Sequence, residues 1–119
     1  MYIKLFLIKL TEDEALSYSD ENNTVTYKLN QTEVEDFANN YVERINESCN
    51  TLLDLFDSDY LDTNKCIKLK EFIDNNKNEL MNSKHANIFM KLEEYANIAI
   101  EKNTGILIDL WKNHINYMV

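Results

Sequence analysis

The hydrophobic pattern near the N-terminus predicts β-strands. The segment 1–10 has apolar residues at both odd and even positions, which is typical of a strand that is covered on both faces. Apolar and polar residues then alternate over 24–29, as in a half-buried strand. We expect a hairpin of about residues 14–19 with 24–29 that pairs with the first strand. Thr11–Glu14 fits a capping box, so a helical turn is the alternative there.

The period changes after Asn30 from that of a strand to that of a helix. Thr32 and Glu35 form the pattern of a capping box, which predicts a helix start. The spacing of three and four residues then continues to about Phe56, which predicts one long amphipathic helix. Its apolar face consists of Val34, Phe37, Tyr41, Ile45, Cys49, Leu52 and Phe56.

Further helices are predicted in the C-terminal half. Asp62 or the next residue is expected to cap a second helix, and Ser83 a third. Gly105 is expected to end the third helix in the left-handed conformation. The segment 106–118 repeats with helical period, so we expect a helix there, with a strand over 106–108 as the alternative.

Strands followed by helices indicate the α+β class. We expect a small N-terminal antiparallel sheet of about three strands that packs on three to four C-terminal helices. Residues 1–119 are expected to form a single domain, with 1–30 mainly strands and 31–119 mainly helical.

The composition excludes several classes of function. Glycine occurs once and proline is absent, so the glycine-rich loops that bind nucleotide phosphates are ruled out. The chain has 21 acidic and 12 basic residues and a net charge of -9, which argues against nucleic acid and favours a basic protein partner. No apolar run is long enough to cross a membrane, and we expect a cytoplasmic protein.

Residue types that commonly carry chemistry are few and scattered. Cys49 and Cys66 lie on apolar helix faces, so we expect inert buried thiols, and the sequence leaves open whether they are paired. His85 has no second ligand within one helical turn, and we expect it to be solvated or to cap a helix. The acidic run 54–62 lacks the glycine and glutamate of a calcium loop. Asp109 is either exposed or a buried acceptor. We therefore expect no catalytic residue, no metal and no cofactor.

The clearest candidate for function is an acidic segment with aromatic residues, 54–62. Carboxylates around an exposed ring have the composition of a protein-binding hot spot, in which the ring anchors the partner and the charges speed association. The predicted partner-binding residues are Asp54, Asp57, Asp59, Tyr60 and Asp62, next to Phe56. The alternative is that Phe56 closes the core and the aspartates only solubilise a connection.

The whole-chain profile resembles the small acidic immunity proteins of contact-dependent growth inhibition and related bacterial polymorphic toxin systems. The resemblance lies in the small acidic domain without a catalytic motif, and the sequence of the segment 92–106 is also similar to such proteins. It implies a protein that binds a toxin domain, often a basic nuclease, and blocks its active site or an adjacent surface.

Other functions fit the same features. One alternative is a regulator from a phage or mobile element that masks a nucleic-acid-binding host protein. Others are a small enzyme with an unrecognised site and a structural helical protein that forms homo-oligomers. An oligomerising protein would expose a continuous apolar stripe on the long helix, whereas an inhibitor would expose acids and aromatics.

Overall fold

An antiparallel sheet forms the centre of the computed structural model, which describes residues 1–111. Its four strands are β1 (Tyr2–Phe6), β2 (Thr24–Lys28), β3 (Ser58–Leu61) and β4 (Ile106–Asp109). They lie in the order β2-β1-β4-β3, so the last of the described strands sits between the first and the third. The expected α+β class is confirmed, with one strand more than the expected number of about three.

Helices connect these strands. They are α1 (Glu12–Leu16), α2 (Gln31–Phe37), α3 (Glu43–Cys49), α4 (Thr63–Asn75), α5 (Lys77–Met81) and α6 (Ala86–Lys102). A π-helical segment, Ala38–Val42, joins α2 to α3 without a break. Within the described part of the chain, no helix combines the length and the apolar character that a membrane span requires.

The two faces of the sheet pack against different layers. Ile3, Leu5 and Ile108 belong to the larger core, which the sheet forms with the helices. Within that layer α4 packs on α6, and α6 contacts β1 and β4. On the opposite face, Phe6 forms a smaller buried cluster to which α1 contributes Ala15. Both faces of β1 are therefore covered, as its apolar pattern predicts.

The expected hairpin with residues 14–19 is wrong, and the alternative helical turn is correct. The Thr11 hydroxyl accepts from the Glu14 amide at 3.2 Å, and the Glu14 carboxylate accepts from the Thr11 amide at 2.9 Å. This capping box provides hydrogen-bond partners for backbone amides at the start of α1, and Ala15 adds a buried contact. These local interactions favour the helical turn over a strand. Among the described strands, β2 pairs with β1 alone, in the register that places Tyr27 opposite Ile3.

The long amphipathic helix is present, but both of its predicted ends are wrong. Asn30 caps it in place of Thr32, because the Asn30 side chain accepts from the Glu33 amide at 2.8 Å. The helix ends at Cys49, where Asn50 adopts the left-handed conformation with φ of 56°. A left-handed residue terminates a helix and turns the chain away from its axis. The residues that follow, including Phe56, are therefore not part of the apolar face of this helix.

Tertiary pairing also decides the two remaining strands. β3 forms within the segment expected to be a connection, and residues 106–109 form a strand in place of the expected helix. All four residues of β4 are buried, because β1 and β3 cover both of its edges and each face packs on a core cluster. The rest of the expected helix, 112–118, lies outside the described residues.

Gly105 is required for space and not for a left-handed backbone, so the expected capping role is wrong. Asn103 takes that role, with φ of 54° after the last turn of α6. A Cβ atom on Gly105 would clash with the carbonyl oxygen of Leu61 and would lie 2.5 Å from the hydroxyl oxygen of Tyr60. The close approach of β3 to the start of β4 thus excludes any side chain at this position.

These two positions predict opposite responses to substitution. Gly105→Ala should lower the free energy of unfolding by about 1–3 kcal/mol, because the methyl group overpacks the β3–β4 contact. Asn103→Gly should change it by less than about 0.5 kcal/mol, because glycine adopts the left-handed conformation freely. Urea denaturation of both variants checks this. A tolerated Gly105→Ala would contradict the packing role.

Candidate partner-binding surface

The loop 50–57, between α3 and β3, exposes two large apolar side chains. Leu52 is 84% exposed and Phe56 is 72% exposed, more than any other large hydrophobic residue in the described chain. Between them Leu53 is buried, and Leu55 packs partly against the core. Alternate residues thus point inward and outward, and the inward ones hold the outward ones in place.

The side chain of Asn46 fixes the first half of this loop. Its amide oxygen accepts from the Thr51 hydroxyl at 2.6 Å and from the Leu53 backbone amide at 2.8 Å. Its amide nitrogen donates to the Leu53 carbonyl at 2.9 Å. A single helical side chain therefore satisfies several polar groups that a loop at the core boundary would otherwise leave unpaired. The loop is consequently ordered around the base of Leu52.

Three of the predicted aspartates bind backbone amides in or beside the same loop. Asp59 accepts from the Leu52 amide at 2.9 Å, which ties the loop to β3. Asp54 accepts from the Phe56 amide, and Asp57 from the Ser58 amide, each at 2.8 Å. Asp54 and Asp57 are exposed, so their remaining oxygen lone pairs and their charge face the solvent. Local hydrogen bonds and surface charge thus come from the same carboxylates.

The other two predicted site residues have different roles from these three aspartates. Asp62 caps α4 as expected, because its side chain accepts from the Lys65 amide at 2.9 Å. Tyr60 is only 5% exposed and packs edge-on against Phe6 on the α1 side of the sheet. Its hydroxyl donates to the Leu10 carbonyl at 3.3 Å, and burial raises the pKa of Tyr60 to about 12. Tyr60 is therefore not part of the exposed surface.

The most exposed apolar residue, Leu52, is absent from the predicted site, as is the residue that holds it. Leu52 fits the helical spacing of the long amphipathic helix, so sequence reasoning assigned it to the buried face. Residues 51–56 do not alternate between apolar and polar types, so no local pattern indicates the extended backbone that exposes Leu52. Asn46 has no sequence signal, because an asparagine on a helix surface is ordinary.

The cysteines are buried and unpaired, which resolves the question that the sequence left open. Burial raises the pKa of the Cys49 thiol to about 11 and that of the Cys66 thiol to about 12. Both thiols are therefore protonated at neutral pH, whereas nucleophilic chemistry and metal binding require the thiolate.

His85 is buried against aromatic rings, so the expectation that it is solvated is wrong. It does occupy the N-cap position of α6, but its side chain makes no capping hydrogen bond. It is 5% exposed, and its ring packs edge-on against Phe37 and Tyr41. His85 Nε2 lies 2.5 Å from Oδ2 of Asp36, and Nζ of Lys84 lies 3.2 Å from the same oxygen. The hydrogen bond from His85 and that from Lys84 lower the pKa of Asp36. The pair links α2 to the start of α6.

The sequence leaves open whether Asp109 is exposed or is a buried acceptor, and the structure shows that it is a buried acceptor. It is 3% exposed, and its carboxylate accepts from the Ser58 hydroxyl at 3.2 Å and from the Trp111 amide at 2.8 Å. Burial, followed by the charge of Asp109, raises the pKa of the neighbouring Tyr2. These groups join β1, β4 and β3 at one end of the sheet, where Asp109 lies between its two partners.

Neither a metal site in the described residues nor a related protein indicates a function for this chain. Within residues 1–111, no cluster of three His, Cys, Asp or Glu side chains could hold a metal ion. The chain matches no family model, no curated protein and no solved structure. The loop 50–57 carries the two most exposed large apolar side chains of the described residues.

Removing the Asn46 side chain should release this loop. Asn46→Ala should lower the free energy of unfolding by about 1–3 kcal/mol, because the Leu53 backbone groups lose their partner at the core boundary. Hydrogen exchange of the amides of residues 51–53 should accelerate. Asn87→Ala, at an exposed position of α6, is the control, because it has the same gain in helix propensity. Equal stability of the two variants would contradict the role of Asn46.

Proposed function

We propose that this protein neutralises a basic protein partner by binding it through the loop 50–57, and that the partner is a bacterial toxin domain. The observation that carries the proposal is the exposure of Leu52 and Phe56 on an ordered, acidic loop. The resemblance to acidic immunity proteins supplies the biological class. A cytoplasmic location belongs to the same proposal, because an immunity protein must meet the toxin where it acts.

Leu52 and Phe56 have the size and exposure of binding anchors. Burying a leucine or phenylalanine side chain contributes about 1.5–3 kcal/mol, which the free protein leaves unused at both positions. Hot spots of protein interfaces are typically one or a few such side chains that enter pockets of the partner. Their neighbours Leu53 and Leu55 already serve the core, so the exposed pair has no evident role in folding.

Hydrogen bonds hold the first half of the loop in a defined shape in the free protein. Asn46 fixes its first half, and the hydrogen bond from the Leu52 amide to Asp59 connects it to β3. Ordering a flexible loop on binding reduces affinity, because the lost conformational entropy opposes association. A loop that is already ordered avoids most of this loss. Leu52, which lies in this half of the loop, can therefore contribute most of its burial energy to the complex.

The charge of the loop and of the whole chain favours a cationic partner. Asp54 and Asp57 are exposed beside Phe56, and the net charge of the chain is -9. Such a field accelerates encounter with a basic protein and slows encounter with an acidic one. Nucleases and other toxins that act on nucleic acid need basic surfaces for the phosphate backbone. Carboxylates on the loop can occupy those surfaces in place of substrate phosphates.

The apolar anchors should carry most of the affinity. In the Leu52→Ser, Phe56→Ser double variant, affinity for the partner should fall by about a hundredfold or more, while the free energy of unfolding changes by less than about 0.5 kcal/mol. The candidate partner is the C-terminal domain of any long secreted protein that the neighbouring upstream gene encodes. The assay is protection from growth arrest by that domain, together with titration calorimetry on the purified pair.

A matched control tests whether the position of the apolar side chains matters. Leu16 and Ile67 are 48% and 39% exposed on α1 and α4, outside the loop. The Leu16→Ser, Ile67→Ser double variant should protect as the wild type does. If wild-type protein neither binds nor protects, the proposed function is wrong. If both double variants bind equally well, a toxin partner remains but the loop is not its site.

The two exposed carboxylates should act mainly on the rate of association. Asp54→Asn with Asp57→Asn keeps an oxygen acceptor for the Phe56 and Ser58 amides and removes both charges. Stopped-flow measurements should show the association rate constant reduced about threefold to tenfold at low salt, with dissociation nearly unchanged. The difference should disappear at high salt, where the charges are screened. Equal association rates at low salt would contradict electrostatic steering by this loop.

A further inference from the structure

The outer edge of β2 has the features of a site for another strand. β2 ends the sheet, and among the strands of residues 1–111 only β1 pairs with it. Val25 is 43% exposed on this strand, and Thr26 and Lys28 are exposed as well. An open edge strand presents unpaired backbone groups that can pair with another chain. This site is separate from the loop 50–57 and does not depend on the proposed function.

Two hydrogen bonds that flank β2 identify its outward backbone groups. The Leu7 amide donates to the Asn23 carbonyl at 2.8 Å, and the Leu29 amide donates to the Met1 carbonyl at 3.0 Å. Antiparallel pairing alternates, so odd-numbered residues of β2 bond to β1 and even-numbered residues point away. The outward residues are therefore Thr24, Thr26 and Lys28. The Thr24 amide already donates to the Glu21 carbonyl.

We propose that a second copy of this chain pairs with β2 in antiparallel fashion, about a two-fold axis at Thr26. The Thr26 amide of each copy then donates to the Thr26 carbonyl of the other. The Lys28 amide of each copy donates to the Thr24 carbonyl of the other, which needs no Thr24 amide. The amide and carbonyl of Thr26, the Thr24 carbonyl and the Lys28 amide of both copies are thereby paired, and the two sheets become one continuous sheet.

The side chains match in the same register. Val25 of one copy lies opposite Tyr27 of the other on the helix-facing side of the sheet. Tyr27 lines a groove of about 370 Å³ with residues of α6, including Met90, which is 56% exposed. Pairs of an aromatic and a β-branched residue across strands are favourable. The pairing therefore covers exposed apolar side chains of both copies.

Charge favours this register over its neighbour. With Thr26 on the axis, Lys28 of one copy lies opposite Thr24 of the other, and the two Lys28 side chains lie at opposite ends of the paired segment. A shift of the axis to Tyr27 would instead place the two Lys28 side chains on diagonal positions, where like charges repel.

The dimer is expected to be weak and to tighten as salt is added. The contact is one short strand from each copy, which places it among small interfaces. Each copy carries a net charge of -9, so long-range repulsion opposes association and salt screens it. The toxin complex responds to salt in the opposite direction. Measuring both interactions over a range of salt concentrations therefore tests the dimer and the toxin complex independently.

A charge exchange at the axis tests the proposal. Thr26→Glu and Thr26→Lys should each raise the dimer dissociation constant by about threefold to tenfold, because like charges meet on the axis. An equimolar mixture of the two variants should dimerise at least as well as the wild type. Sedimentation equilibrium from micromolar to millimolar concentration measures all three samples.

Control variants place the same charges elsewhere. Ser48→Glu and Ser48→Lys, at an exposed position of α3, should each dimerise as the wild type does, alone and mixed. Recovery confined to the Thr26 mixture supports pairing at the β2 edge. A wild-type protein that stays monomeric at millimolar concentration and high salt overturns the proposal. A dimer that ignores both Thr26 charges overturns it as well, because its contact lies elsewhere.

Discussion

β4 holds the sheet together, because it lies between β1 and β3, two strands from distant parts of the chain. All four of its residues are buried, and both of its edges are paired. Space is so limited at its entry that Gly105 has no room for a Cβ atom beside β3. Without β4, the strand β3 would have no partner among the described strands. The loop 50–57, tied to β3 through Asp59, would then lose its support.

The exposed anchors are a consequence of how this loop is built. An extended segment that crosses the core boundary must direct alternate side chains inward and outward. Leu53 is secured in the core and Leu55 packs partly against it, so Leu52 and Phe56 face the solvent. The same backbone groups that define the alternation are bound by Asn46 and by aspartates. The same hydrogen bonds and buried side chains therefore stabilise the loop and expose its apolar residues.

The aspartates have two roles at once, which changes how the acidic character of the chain is interpreted. Asp62 starts α4, and Asp54, Asp57 and Asp59 each accept a backbone amide. Carboxylates that accept such bonds are held in defined positions, so the places at which they present negative charge to a partner are defined as well. Replacing them with lysine would remove the hydrogen bonds together with the charge. Asparagine separates the two effects, because it keeps an acceptor.

The sequence by itself determined the α+β class, the covered first strand, the amphipathic helix and the cap of α4, because these depend on local periodicity and on side chains close in sequence. Only the tertiary structure decided that 58–61 and 106–109 are strands, because their pairing partners are distant in the chain. It also decided that Leu52 is exposed, that His85 is buried and that Gly105 is needed for space. The burial of a side chain depends on neighbours that are distant in sequence, which a local pattern does not identify. The helical spacing continues past Asn50, so the spacing alone does not show that the helix ends there.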